Sequence, residues 1–410
     1  MMRRWMVALF GAMVSLGPVL AQTPVGMPSS PPAVPVDRPV VTAPLVEPSL
    51  PLDSGERFWI SADYLFSFIY GSRVTPLITT SAPGTPVNQA GVLGNPNTIP
   101  LFAGRVNGDE RSGFRIESGL WFHEDRNLGV EGGFTIIESQ STIWSGYSND
   151  GSGVLARPYF DALQSDRPSS VLLSYPFKNA GGADICVTSG NFYEAHLDFV
   201  ENMWEEGGLR IDGMLGYRFY RYDEGLRIRQ VVHPLDGIFV PGTQITTGDD
   251  FSTQNQFNGV EVGLRGTYTW DAFSFAAFGK IAAGNLHRRV KIYGGQQIAI
   301  PGSVPVEQVG GLYALSSNIG NYTDNGIGTL PELGCTLRWQ FSDYLRFRVG
   351  YNVLFLPDVA RADQQFSYLI NPNLLPGKQG STVGPRQPEF TNLRDNMWIQ
   401  SLSLGMEFTY

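Results

Sequence analysis

The chain alternates between apolar and polar residues in ten segments of about 10 to 15 residues each. Successive side chains of a β-strand point to opposite faces, so this alternation predicts strands with one apolar and one polar face. In the first segment, for example, Phe58, Ile60 and Tyr64 alternate with Ser61 and Asp63. The ten segments are residues 58–68, 112–122, 127–138, 190–201, 208–222, 256–270, 272–283, 329–340, 344–355 and 397–410.

The connections between these segments alternate strictly in length. Short turns follow the second, fourth, sixth and eighth segments, and long loops follow the others, at about residues 69–111, 139–189, 223–255, 284–328 and 356–396. This rhythm is typical of membrane barrels, which have short periplasmic turns and long extracellular loops. We therefore predict an all-β fold, a transmembrane up-and-down antiparallel β-barrel of about 10 strands. Twelve strands are the alternative, if residues 154–176 contain another hairpin.

The N-terminal region predicts export. Arg3 and Arg4 precede an apolar run that closes on Ala21, which is the pattern of a signal peptide spanning residues 1–21. Residues 22–52 are rich in proline and predict an extended periplasmic linker. The barrel is then expected over residues 53–410, in the bacterial outer membrane. We also consider contact between the linker and the cell wall.

The polar faces of the strands are expected to point into the barrel. They carry eight basic and nine acidic residues, a nearly balanced set. Small barrels are filled by their own side chains, so we predict a lumen crossed by arginine–carboxylate pairs, the alternative being a hydrated channel wall. The predicted lumen-facing residues are Asp63, Arg115, Glu117, Glu131, Glu194, Asp198, Arg210, Asp212, Arg218, Glu261, Arg265, Lys280, Glu332, Arg338, Arg346, Arg348 and Glu407.

The composition of the chain disfavours several kinds of ligand and reaction. The chain has 29 basic and 38 acidic residues and a net charge of −9, which disfavours a nucleic-acid partner. Its two cysteines are expected to be free, with Cys335 on the lipid face and Cys186 in a loop, and the four histidines form no metal-binding pattern. We expect no cofactor, no metal and no enzymatic activity. A hydrolase with a site on the outer rim is a weaker alternative, whose candidate residues are His233 with Asp236 and Asp249 with Asp250.

Several motifs resemble the seventh of the numbered "putative beta-barrel porin" families of outer-membrane proteins. They include Leu345-Arg346-Phe347-Arg348-Val349-Gly350-Tyr351, the stretch from Trp398 to Phe408, and the opening Phe58-Trp59-Ile60-Ser61. The resemblance covers most of residues 57–410 and implies an outer-membrane barrel. One departure is Arg361-Ala362-Asp363-Gln364, where the family is expected to have an Arg-Pro-Gly-Asp-Gln turn.

Together these features predict a porin-like protein with a narrow or side-chain-filled lumen and a structural or small-solute passage role. A surface adhesin or receptor acting through the long outer loops is the alternative. The expected partners are outer-membrane lipid and the barrel-assembly machinery; the oligomeric state stays open. The C-terminal strand is expected to carry the insertion signal, in residues Leu404, Met406, Phe408 and Tyr410.

Overall fold

The computed structural model describes residues 57–378 and 383–410, so the predicted signal peptide and linker lie outside the described residues. The described chain folds into seventeen strands and two 3-10 helices, Ala362–Gln364 and Pro372–Leu374. Within it, no helix has the length and apolarity needed to cross a membrane. The strands are β1 (Phe58–Ile69), β2 (Ser72–Ser81), β3 (Thr98–Val106), β4 (Glu110–Trp121), β5 (Leu128–Ile137), β6 (Gln140–Ser148), β7 (Leu155–Asp161), β8 (Arg167–Ser174), β9 (Asn179–Glu206), β10 (Leu209–Pro234), β11 (Gln244–Trp270), β12 (Phe273–Ala299), β13 (Val306–Val309), β14 (Gly320–Ser342), β15 (Leu345–Ala360), β16 (Leu369–Ile370) and β17 (Arg394–Thr409).

Ten of these strands form a closed antiparallel ring in the order β1, β4, β5, β9, β10, β11, β12, β14, β15 and β17. The first and last strands of the chain close it, since the Phe58 backbone N–H donates to the Tyr410 carbonyl at 2.9 Å. The prediction of a ten-stranded barrel is confirmed. Residues 155–174 do form a hairpin, of β7 and β8, but it belongs to a second sheet, so the twelve-strand alternative is wrong.

The outer surface of the ring carries the apolar band expected of a membrane barrel. On β11 the outward side chains from Val260 through Leu264 to Trp270 are apolar and exposed, apart from Gly266. Ten residue steps of about 3.3 Å at a tilt of about 45° give a height of about 23 Å, close to the ~25 Å band of such barrels. These side chains are exposed on the outside of the ring and belong to neither of the buried clusters.

The strands are longer than predicted, because the alternation continues beyond the membrane with its phase inverted. On β10 the outward Leu215 and Tyr217 are apolar near the turn, whereas the inward Leu226 and Ile228 are the apolar ones further out. The segment predicted as a third long loop, residues 223–255, is therefore mostly a hairpin of β10 and β11. Cys186 likewise lies in β9 and not in a loop; both cysteines are free, and Cys335 lies in β14.

The extended strands surround a second sheet, in which β2, β3, β7, β8 and β16 pair. Its apolar side chains, such as Leu77 and Leu173, share one buried cluster with Ile185, Ile228 and Phe251 of the ring strands. This cluster is called the outer core below. The predicted long outer loops are thus largely folded against the inner wall of the ring, because its inward apolar side chains offer a surface for them to bury.

Candidate functional site

The interior of the ring is the candidate site, and all seventeen predicted lumen-facing residues lie in it. Each is buried or half-buried, and each takes part in at least one ion pair. Their positions follow from the alternation: where the apolar face of a strand points out of the ring, the charged residues of the other face are enclosed. We refer to this part of the interior as the charged layer.

Four ion pairs of the charged layer join strands that lie three positions apart in the ring. Neighbouring strands are about 4.8 Å apart, so such residues meet only by extending across the interior. The four pairs are Arg348–Glu117 at 2.8 Å, Arg218–Glu332 at 2.5 Å, Arg265–Glu131 at 2.7 Å and Lys280–Asp198 at 2.7 Å. These side chains therefore fill the lumen and do not merely line its wall.

Arg218 on β10 is at the centre of one group of charges. Its guanidinium lies 2.6 Å from Glu261, 2.5 Å from Glu332 and 3.3 Å from Glu194, and all four side chains are at least nine-tenths buried. The planar guanidinium has five N–H donors and can serve several carboxylates at once. His196 joins the group through its Nδ1, which lies 3.1 Å from Glu194.

Arg348 on β15 is at the centre of a second group. It contacts Glu117 at 2.8 Å, Glu407 at 3.5 Å and the hydroxyl of Ser61. Asp63 lies 3.7 Å from Arg348 and bonds to Arg115 at 2.9 Å. Acids and bases thus alternate around the interior, so each buried charge has an opposite charge beside it, as a low-dielectric interior requires.

Little space remains in the charged layer. A cavity of about 80 Å³ persists there, lined by Glu117, His196, Arg338 and others. One water molecule needs about 10–15 Å³ by this measure, so the cavity fits a few waters. Passage of a sugar-sized solute would require the crossing ion pairs to separate.

An apolar layer, which the sequence analysis missed, lies next to the charged layer. Tyr220 stacks between Phe192 and Phe257, with ring centroids 5.9 and 5.6 Å apart. Leu65 and Ile399 belong to the same buried cluster. These residues occupy inward positions beyond the charged ones on the same strands, so the lumen is closed by apolar side chains as well as by charges.

The outer core is anchored to the ring through Asp249 of β11. Its Oδ1 accepts backbone N–H bonds from Leu312, Tyr313 and Ala314 at 3.0, 2.9 and 2.8 Å. Its Oδ2 pairs with Arg157 of β7 at 2.7 Å, and both side chains are fully buried. Burial raises the pKa of Tyr313, whose ring lies under the Arg157 guanidinium. The Asp249 carboxylate is thus fully engaged in holding two segments of the outer core.

A second anchor joins β10 to the segment after β15. Arg361 pairs with Glu224 at 2.9 Å and donates to the Ser72 hydroxyl at 2.9 Å, and Glu224 also accepts the Ala362 backbone N–H at 3.2 Å. Next to it, burial and then the charge of Glu224 raise the pKa of Asp363 to about 6. Arg361, Ala362 and Asp363 belong to the stretch that departs from the family pattern, and Ala362–Gln364 form a 3-10 helix.

The four rim residues considered as catalytic candidates make different contacts and do not form a common site. Asp249 is buried in the anchor, whereas Asp250 points outward and pairs with Arg227 at 2.9 Å. His233 lies near the end of β10, and the carboxylate of Asp236 accepts the Ile238 N–H in the hairpin tip. Across residues 57–378 and 383–410, no three His, Cys, Asp or Glu residues are grouped so as to hold a metal ion.

Comparison with known proteins identifies a family. The family described as "Putative beta barrel porin-7 (BBP7)" matches residues 59–410, which is most of the chain. No curated protein matches the chain.

Solved structures give weaker likenesses. The chain is similar to the outer membrane protease OmpT from Escherichia coli, with 11% identity, a TM-score of 0.42, and coverage of 86% of this chain and 97% of that one. It is also similar to a Pseudomonas aeruginosa FadL homologue, with 11% identity, a TM-score of 0.22 and coverage of 87% and 90%. The Pseudomonas putida toluene transporter TodX gives 7% identity, a TM-score of 0.22 and coverage of 87% and 89%. Likenesses at this level do not decide between proteolysis, transport and a structural role.

Proposed function

We propose that this chain, which belongs to the Putative beta barrel porin-7 family, acts as a closed, structural barrel. It is a porin-like β-barrel of the bacterial outer membrane. The proposal is that its resting lumen passes no sugar-sized solute, so that any passage is limited to water or the smallest ions.

One observation carries this proposal: the interior is occupied at three successive levels. Ion pairs such as Arg218–Glu332 cross the charged layer, Tyr220 and its stacked neighbours occupy the apolar layer, and the second sheet fills the outer core. Open aqueous channels belong to wider rings of roughly 16 to 18 strands, whereas rings near eight strands are filled by side chains.

Liposome swelling tests the proposal. The full chain, reconstituted into phospholipid vesicles, is mixed with an isotonic series of sugars of increasing size. We expect swelling rates equal to those of protein-free vesicles for every sugar. Swelling that falls with solute size would show a diffusion pore and contradict the proposal.

A receptor or adhesin role has one supporting observation. The tips of the outer hairpins expose apolar side chains, among them Ile238 at 79% and Val304 at 85% exposure. Deleting residues 139–189 would not test this role, because the segment supplies β6 to β8 and part of β9. The double substitution Ile238→Ser and Val304→Ser is the better test: loss of binding to cells or matrix, with the barrel intact, would favour the receptor role.

We propose no catalytic role. The support is that Asp249, the most enclosed rim carboxylate, already accepts three N–H bonds and an ion pair. Substitution of Asp250 by Asn should leave any peptidase or esterase activity of the preparation unchanged. A loss of activity would instead favour the hydrolase alternative.

Barrel assembly is proposed to use the C-terminal strand. Leu404, Met406, Phe408 and Tyr410 all point outward from the ring and are exposed. Replacement of Phe408 and Tyr410 by serine should lower the yield of membrane-inserted protein without abolishing refolding in detergent. Equal insertion of this variant would contradict the proposal.

A further inference from the structure

Two strands of the ring, β10 and β12, carry outward cations above the apolar band. On β10 the outward residues beyond Phe219 include Arg227 and Arg229, and on β12 those beyond Ala283 include Arg289 and Lys291. We call these four cations the basic wall. Strand β11 lies between them and completes one continuous surface.

Among the described residues, Arg227 is the only member of the basic wall that is in an ion pair, and Arg229 lies in register with Asp184 of β9. No ion pair among residues 57–378 and 383–410 includes Arg289 or Lys291, and both are exposed. Arg227 does pair with Asp250, but its side chain is 70% exposed and can make further contacts. In a chain of net charge −9, the uncompensated cations Arg289 and Lys291 indicate an anionic partner.

The neighbours of these cations are hydrogen-bonding groups suited to phosphate. Arg289 lies in register between Gln254 and Thr323, and Lys291 between Ser252 and Asn321. Arg289 and Lys291 are two residues apart on one face, which places their Cα atoms about 6.6 Å apart. Two cations at that spacing can contact one phosphate group from both sides.

Strands β4 and β5, on another side of the ring, have acidic residues at this level. Above the apolar band of β4 and β5 the exposed charged residues are Glu110 and Glu138, and Glu138 accepts the Ser112 backbone N–H. The cations of the basic wall therefore have no counterpart on the outward faces of β4 and β5.

The height of Arg289 above the apolar band indicates which kind of lipid headgroup can contact it. Arg289 is six residues beyond Ala283, or about 14 Å along the membrane normal for a strand tilted by about 45°. Its long side chain can extend several ångströms back toward the bilayer. Simple headgroups occupy only about 5–8 Å on each side of the hydrocarbon, so a thicker, saccharide-bearing headgroup fits this position better.

We propose that the basic wall binds the phosphorylated saccharide headgroup of an outer-leaflet glycolipid. The inference rests on the placement of the barrel in the outer membrane and is independent of whether the lumen is closed. Arg289 and Lys291 hold the phosphate, and Arg227 and Arg229 extend the contact along the headgroup.

Native mass spectrometry of the detergent-extracted full chain tests the proposal, with diphosphorylated lipid A as the probe. The variant Arg289→Gln/Lys291→Gln should weaken binding about tenfold, since charge-assisted hydrogen bonds are lost. The control Lys378→Gln/Arg386→Gln removes two exposed positive charges elsewhere and should stay within about twofold of the parent. Circular dichroism and heat-modifiable gel mobility check that each variant is folded.

Competing ligands distinguish the sources of phosphate. Lipid A without phosphates, phosphatidylglycerol and inorganic phosphate should each bind or compete at least about tenfold less well than diphosphorylated lipid A. Equal binding of lipid A to the double variant would overturn the proposal. Full competition by inorganic phosphate, or equal binding of phosphatidylglycerol, would also overturn it, since neither carries the saccharide.

Discussion

Replacing Arg218 by methionine should destabilise the barrel strongly. The substitution keeps an unbranched side chain in the same space but removes the cation that lies within 3.3 Å of Glu194, Glu261 and Glu332. Three buried carboxylates would then face one another, with Lys280 at 3.3 Å from Glu261 and His196 at 3.1 Å from Glu194 as the neighbouring basic side chains.

The size of the expected loss of stability follows from the burial of these side chains. Arg218 is 3% exposed and its three partners are between 0% and 8% exposed, so solvent screens the charges weakly. Breaking a buried ion pair by removing one partner costs about 3–5 kcal/mol. We expect a loss in this range in the free energy of unfolding. Adding Glu332→Gln to the variant should recover part of the loss, because one uncompensated charge is removed.

The assay is urea unfolding in phospholipid vesicles, followed by tryptophan fluorescence. Arg221→Met is the matched control: Arg221 lies three residues further along the same strand, points outward, and pairs with Asp223 at 2.8 Å with both side chains more than one-third exposed. An exposed pair of this kind contributes about 0–1 kcal/mol. If Arg218→Met cost no more than Arg221→Met, the lumen would be a hydrated channel and the packed interior would be refuted.

Three further predictions concern other parts of the structure. Leu264→Arg should lower the free energy of unfolding by about 2–4 kcal/mol, because the residue lies in the apolar band. Thr267→Arg should lower it by about 1–3 kcal/mol, because the larger side chain overpacks the lumen. No effect of Thr267→Arg in the same urea assay would contradict the packed interior. Asp249→Ala should make the outer core sensitive to limited proteolysis, with Asp250→Asn as the unaffected control; equal sensitivity of the two would refute the anchor. Asp363 has a pKa raised to about 6, above that of an unfolded aspartate, so its protonation stabilises the fold at acid pH and this contribution is lost between about pH 4 and 6. Asp363→Asn should therefore gain stability over the parent as pH rises through that window, and a constant difference would contradict the assignment.

The membrane-spanning part of the fold is predictable from the sequence because lipid imposes a simple rule. Leu264 is exposed on the outside of the ring and Arg265 beside it points inward, which is the arrangement that period-two alternation predicts. The same rule placed the charged residues inside the ring. The alternation could not predict which charged residues pair with each other, because partners such as Arg348 and Glu117 are far apart in sequence and meet only across the closed interior.

The outer halves of the strands were predicted as loops because their apolar and polar residues alternate in the opposite phase. Outside the membrane, water covers the outer face of the strands and the folded segments cover the inner face, so the apolar residues change sides. Leu226 and Ile228 point inward while Arg227 between them points outward, and this inversion is visible in the sequence. The anchor at Asp249 leaves no such signal, because it binds backbone N–H groups of residues about sixty positions away and the side chain of Arg157, which is also distant in sequence.

The central claim is that side chains occlude the resting barrel, and single-channel recording in planar lipid bilayers tests it most directly. The purified full chain should insert, as shown by heat-modifiable gel mobility of the same sample, yet give no stable conductance steps at moderate voltage. A large, stable conductance from every inserted molecule would mean that the ion pairs and the apolar layer do not close the lumen, and would contradict the account.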